Sequence, residues 1–127
     1  MAQTVDIEIA YQRGFELRCE GRYSEARMEL QKVLAIDPSH CNAKWQIGLI
    51  QGFEGDFEAS EITLSEVLNR FPNEQNVRYD LAMTQMMLGM QEEACENFKE
   101  ILRENPDHEK ARQQSDDAAT AGTGTER

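Results

Sequence analysis

Pro38, Pro72 and Pro106 are the only prolines in this 127-residue chain, and each stands 34 residues from the next. The same step separates Gly21, Gly55 and Gly89, and it recurs in Gly14, Gly48 and Ala82, in Ala26, Ser60 and Ala94, and in Leu30, Leu64 and Phe98. The pairs Val33-Leu34, Val67-Leu68 and Ile101-Leu102 complete the register. A fixed interval of this length marks a stacked array whose unit is one supersecondary motif, unable to bury its apolar face alone.

The unit reads as two helices. Ala, Leu, Glu, Gln and Met are plentiful and β-branched residues do not run together, so helix is favoured over strand. Gly21, Gly55 and Gly89 close the first helix in a left-handed cap that glycine adopts at no steric cost. The second helix carries an apolar stripe, Ala26, Leu30, Val33 and Leu34 in the first unit, and stops just before proline, which cannot continue it. Small residues at Gly14, Gly48 and Ala82 let the paired helices approach closely. Helices are predicted over 5–20, 23–36, 40–53, 57–71, 74–88 and 91–105, with a short one over 107–114. A single domain is therefore expected over 1–114, with repeats at about 7–40, 41–74 and 75–108 and a partial capping helix at 109–114. Residues 115–127 offer nothing to bury and are expected to be a disordered tail.

The strings Gly21-Arg22-Tyr23-Ser24-Glu25-Ala26, Gly55-Asp56-Phe57-Glu58-Ala59-Ser60, Val33-Leu34-Ala35-Ile36-Asp37-Pro38 and Ile101-Leu102-Arg103-Glu104-Asn105-Pro106 resemble the tetratricopeptide repeat family. The resemblance runs from about Ile7 to His108. It implies an all-α fold, a right-handed superhelical α-solenoid of three helix-turn-helix repeats plus a short C-terminal helix, with the first helices lining the concave side. Some positions depart from the pattern. Arg13 stands where Ile47 and Leu81 supply hairpin core, Gln51 and Gln85 replace an aromatic residue, and Gln91 replaces the turn aromatic found at Tyr23 and Phe57.

The residues also point to the first helices. Tyr11-Phe15-Cys19, Trp45-Leu49-Phe53 and Tyr79-Met83-Met87 each run i, i+4, i+8 down one face, whereas Ile47-Gly48 and Leu81-Ala82 lie on another. Helices apolar on two sides need full burial or a ligand, and an exposed apolar patch on such a protein marks an interaction surface. Tyr11, Trp45 and Tyr79 are the expected anchors, with Met83, Met86 and Met87 as an adaptable end. Part of this stripe must also serve packing between neighbouring repeats. Asn42 and Asn76 recur near the groove entrance, where they are suited either to bonding a peptide backbone or to solvating a helix start. Two or three aromatic anchors support an affinity of about micromolar once association costs are counted.

Other classes are disfavoured. With 24 acidic and 13 basic residues the formal charge is −11, a field that repels phosphate and anionic headgroups, so neither nucleic acid nor membrane is an expected partner. The N-terminus shows no basic patch followed by an apolar run, and no segment approaches bilayer-spanning length. Cys19, Cys41 and Cys95 form no C-x-x-C pair; reduced thiols in a soluble, cytoplasmic protein are expected. No phosphate-binding loop, nucleophile elbow or zinc-peptidase motif occurs, and His40 and His108, two residues after a proline, read as linker residues rather than metal ligands. Neither enzyme activity, metal nor cofactor is expected.

The chain is thus read as a scaffold that holds a peptide or helix of a partner protein in an apolar, aromatic-lined groove. The basic clamp that some family members use for chaperone C-termini is absent, since Tyr11, Phe15, Gln46, Asn76 and Asp80 occupy those places. A chaperone for an apolar client segment is one alternative. The other is a self-assembling scaffold or homodimer: residues 109–114 begin a fourth unit and then stop, which would leave Phe98, Ile101 and Leu102 partly uncovered as a self-association edge.

Overall fold

The computed structural model describes the backbone of residues 2–124 and the side chains of residues 6–117. Among the described residues there are seven helices and no strand: α1 (Ala2–Cys19), α2 (Tyr23–Ile36), α3 (Cys41–Phe53), α4 (Phe57–Arg70), α5 (Gln75–Met87), α6 (Gln91–Glu104) and α7 (Glu109–Gly124). The first six follow the predicted elements to within a few residues. The chain divides into two compact units, Met1–Thr63 and Leu64–Arg127, with the boundary inside α4.

The first unit is built on the hairpin of α1 and α2, with α3 laid against α2. Ala26, Leu30 and Val33 of α2 and Ala43 and Ile50 of α3 are fully buried, and Ile7, Ala10, Tyr11, Leu17 and Ile47 lean on them. Gly14 is the point of closest approach: a Cβ placed there would lie 2.8 Å from Cγ and Cδ2 of Leu30. Gly21 turns the chain at φ +79°, and the bond from the Arg22 amide to the Leu17 carbonyl, 2.9 Å, closes the helix end. Gly55 repeats the device between α3 and α4 at φ +87°. There the Ser60 hydroxyl donates to the Gly48 carbonyl at 2.8 Å, so α3 and α4 approach closely at the small residue Gly48, as expected.

The register explains Arg13. Ile9 is 53% exposed, whereas Ala43, Val77 and Ala111, each one repeat further on, are at 0%. Ala43 and Ile47 are covered by α2, but among the described residues no helix precedes α1 to cover Ile9 and Arg13. Arg13 therefore stands in solvent opposite Glu29, at 3.9 Å, and its charge costs nothing in burial.

In the second unit α6 lies between α5 and α7. Ala82, Ala94, Phe98, Ile101 and Ala111 form its buried core, with Tyr79, Met83, Met86 and Leu102 packed around it. Gln85, at an aromatic position of the pattern, is buried but bonded: Asn97 donates to its Oε1 at 2.8 Å and accepts from Arg78 at 3.1 Å. Buried polar groups so paired carry little penalty.

Two expectations are corrected here. Phe98 and Ile101 are fully buried in one core with Ala111 of α7, while Leu102 is half-buried; two of the three residues expected as a partly uncovered self-association edge are thus covered by the chain itself. α7 also runs to Gly124 instead of ending at Gln114, so much of the segment read as a disordered tail is helix. It starts on a firm cap, the Ala111 amide bonding Nδ1 of His108 at 3.0 Å, and stays against α6 as far as Ser115, whose carbonyl meets the Cys95 sulfur at 3.9 Å. No residue in 109–124 is proline, so no proline interrupts it. The last part of the tail, 125–127, lies outside the described residues.

Candidate functional site

The expected site residues gather most clearly in the first unit. His40 caps α3, its Nδ1 accepting from the Ala43 amide at 3.0 Å. The capping ring lies 5.3 Å from the ring of Tyr11, so the linker between repeats positions the first aromatic residue of α1. Tyr11 is followed one turn on by Phe15, at 6.3 Å between centroids. The guanidinium of Arg18 then sits over Phe15 at 5.2 Å and over Phe53 of α3 at 5.9 Å. Phe53 stacks on Tyr23 of α2 at 5.8 Å and 24°. The result is one strip of rings, His40, Tyr11, Phe15, Phe53 and Tyr23, with a single guanidinium in its middle.

Two features hold Arg18 there. Its Nε donates to the side-chain oxygen of Gln46, a residue only 3% exposed, and the flat faces of two phenyl rings fix its plane. Its Nη2 also meets the Cys19 sulfur at 3.6 Å. Phe15 and Arg18 are half-buried, and Phe53 is 56% exposed. Trp45 and Leu49 share the face of α3 that ends in Phe53 and are half-buried. Asn42 is exposed in the first turn of α3. Burial pushes the Tyr11 phenol above its ordinary value, the positive charge of Arg18 opposes the rise, and Cys41 adds to it. The hydroxyl therefore stays protonated well above neutral pH and keeps its donor.

The second unit treats its counterpart residues differently. Tyr79 stacks on His108 at 5.7 Å and 23° and presents an edge to Phe98 at 6.0 Å; burial, then Asp80, raises its phenol above the ordinary value. Met83 and Met86 pack against the core, while Met87 is exposed at the end of α5 and Asn76 at its start. Tyr79, Met83 and Met86 thus give much of their surface to internal packing. Two things were not foreseen from the residues. One is Arg18, which sits three residues after Phe15 and so on the same helix face. The other is the capping role of His40 and His108, which the repeat register placed only in a linker. Among the described residues no group of three or more His, Cys, Asp or Glu side chains could hold a metal ion, and no helix is long and apolar enough to cross a membrane.

Residues 77–108 match the tetratricopeptide repeat family model. Solved structures agree over almost the whole chain. The first TPR of Spaghetti (RPAP3), bound to the HSP90 peptide SRMEEVD, superposes with a TM-score of 0.87 at 15% identity, covering 93% of this chain and 94% of that one. The first TPR domain of human RPAP3 gives 0.85 at 16%, covering 94% of each. MamA from Desulfovibrio magneticus RS-1, residue 41 to its end, gives 0.84 at 21%, covering 92% of this chain and 66% of that one. No curated protein sequence matches. Residues 77–108 thus match one tetratricopeptide repeat, and the chain shares the fold of these solved TPR domains over nearly its whole length.

Proposed function

We propose that this chain is a non-catalytic interaction scaffold that binds a peptide or helix of a partner protein on the exposed ring-bearing faces of its first helices. The observation that carries the reading is the strip on α1 and α3: Tyr11, Phe15 and Phe53 are aligned by internal contacts yet still partly in water. Aromatic side chains held in place lose little freedom on binding and supply large contact area. A domain of the same fold holds an HSP90 peptide, which supports a peptide as the kind of ligand. Trp45 and Leu49 extend the surface along α3, with Asn42 at its entrance. In the second unit Tyr79, Met83 and Met87 with Asn76 form a smaller face of the same kind.

Affinity capture with three versions of the chain tests this. Phe15→Ala with Phe53→Ala removes the strip, whereas Met28→Ala with Ile62→Ala removes two other exposed apolar residues on the second helices α2 and α4. The strip variant is expected to lose the captured partner while the second-helix variant keeps it. The reverse outcome would move the binding surface to the second helices and refute the reading.

A further inference from the structure

The nature of the bound segment follows from Arg18, on the premise that the strip is a binding surface. Acidic residues outnumber basic ones by 24 to 13, and four guanidiniums meet a carboxylate of their own chain, whereas Arg78 donates to the Asn97 side chain and the Pro72 carbonyl and Arg112 to the Pro106 carbonyl. Arg13 faces Glu29, Arg22 faces Glu20 and Glu25, Arg27 faces Glu54, and Arg103 faces Glu100. Arg18 does not follow them. Its described contacts are the neutral oxygen of Gln46, the Cys19 sulfur and two ring faces. The acids nearest in sequence to the strip are committed elsewhere: Glu16 accepts from Gln12, Glu20 from Arg22, and Glu54 from Arg27.

A guanidinium fixed in plane by stacking, with Nε spent on a buried amide and one N–H of Nη2 on the Cys19 sulfur, keeps Nη1 and the second N–H of Nη2 for an outside acceptor. The acceptor that fits such a fork is a carboxylate, bound by charge-assisted hydrogen bonds at little entropic cost. The rings continue on both sides of Arg18, Tyr11 and Phe15 one way, Phe53 and Tyr23 the other. We infer that the strip binds an Asp or Glu side chain set inside an apolar stretch of the partner, its carboxylate on Arg18 and its apolar neighbours on the rings to either side. A terminal carboxylate would leave one half of the strip bare.

The test uses the full chain and three peptide pools, each equimolar in Leu, Ile, Phe and Met at its apolar positions and flanked by Ser-Gly. One is apolar-apolar-Glu-apolar-apolar with both ends blocked. The second has Gln for Glu, and the third is the Gln pool with a free C-terminal carboxylate. Binding is read by Trp45 fluorescence and by calorimetry. The Glu pool is expected to bind about tenfold more tightly than the Gln pool, with no gain from the free terminus. Arg18→Gln should reduce that preference to less than twofold at unchanged circular dichroism, and Arg18→Lys should leave it intermediate, since the charge remains without the fork. Equal binding of the Glu and Gln pools, a preference that survives Arg18→Gln, or a tenfold gain from the free terminus overturns the inference. If both blocked pools bind equally and Phe53→Ala weakens both, the surface stands and only its acidic specificity falls. If neither binds, the surface reading falls with it.

Discussion

Gly14 and Gly52 both lie inside helices of the first unit, yet the space beyond their Cα atoms differs. At Gly14 a methyl group would run into Leu30 at 2.8 Å, and Leu30 is fully buried and has nowhere to go. At Gly52 the nearest atom is the Ser60 hydroxyl at 3.4 Å, an ordinary contact. Gly14→Ala is therefore expected to lower stability by about 1–2 kcal/mol, overpacking outweighing the better helix propensity of alanine. Gly52→Ala should raise it by about 0.5 kcal/mol. Urea unfolding of the two variants measures both signs, and equal shifts would contradict the packing described. Tyr11 makes a second prediction at this scale. Its phenol is raised from 10.0 in the fold, chiefly by burial, so between the unfolded and folded values the native state binds more protons than the unfolded one. Stability is unaffected by this group near neutrality and falls as pH rises past about 10. Tyr11→Phe should flatten part of that alkaline loss in a series of unfolding curves; an unchanged slope would show that the phenol is not held in its neutral form.

Among the elements, α7 has the largest consequence for what the chain exposes. One small residue, Ala111, seats it over Phe98 and Ile101, so Ala111→Glu places an unpaired charge in that contact. A loss of about 3 kcal/mol is expected, and concentration-dependent sedimentation should appear as the α6 surface opens. A variant that stays monomeric and stable would show that α7 is not the cover. The six helices before it were legible because glycine, proline and apolar spacing agree at every repeat, and agreement across levels is what makes a sequence readable. α7 was read too short because its Ala, Thr and Gly residues carry no apolar stripe. Its helix is instead anchored by a cap at His108 and by one alanine, neither of which stands out in composition. For the same reason the sequence suggests a partly uncovered α6 edge: Ala111 falls in register, but a single methyl gives little sign that it covers Phe98 and Ile101. In the ring strip, Tyr11, Phe15 and Phe53 stand out by their apolar four-residue spacing, whereas Arg18 does not belong to that pattern. A cation at i+3 lies among them all the same.

Over the whole molecule, the repeat register shows a graded chemistry rather than three equal copies. The positions of Tyr11, Trp45 and Tyr79 continue into Gln113 of α7, and those of Phe15, Leu49 and Met83 into Asp117; both α7 residues are exposed. α7 therefore covers the core of the second unit without extending the ring-bearing face. The first unit holds the guanidinium and most of the rings, and the second commits more of its corresponding side chains to packing. On the proposed function, this difference favours α1 and α3 as the main binding surface. Amide chemical-shift mapping of the labelled chain during titration with its captured partner tests that placement most directly. The largest shifts are expected along Phe15 to Cys19 and Trp45 to Phe53, with α2 and α4 little changed; shifts concentrated on α2 and α4 would contradict the account.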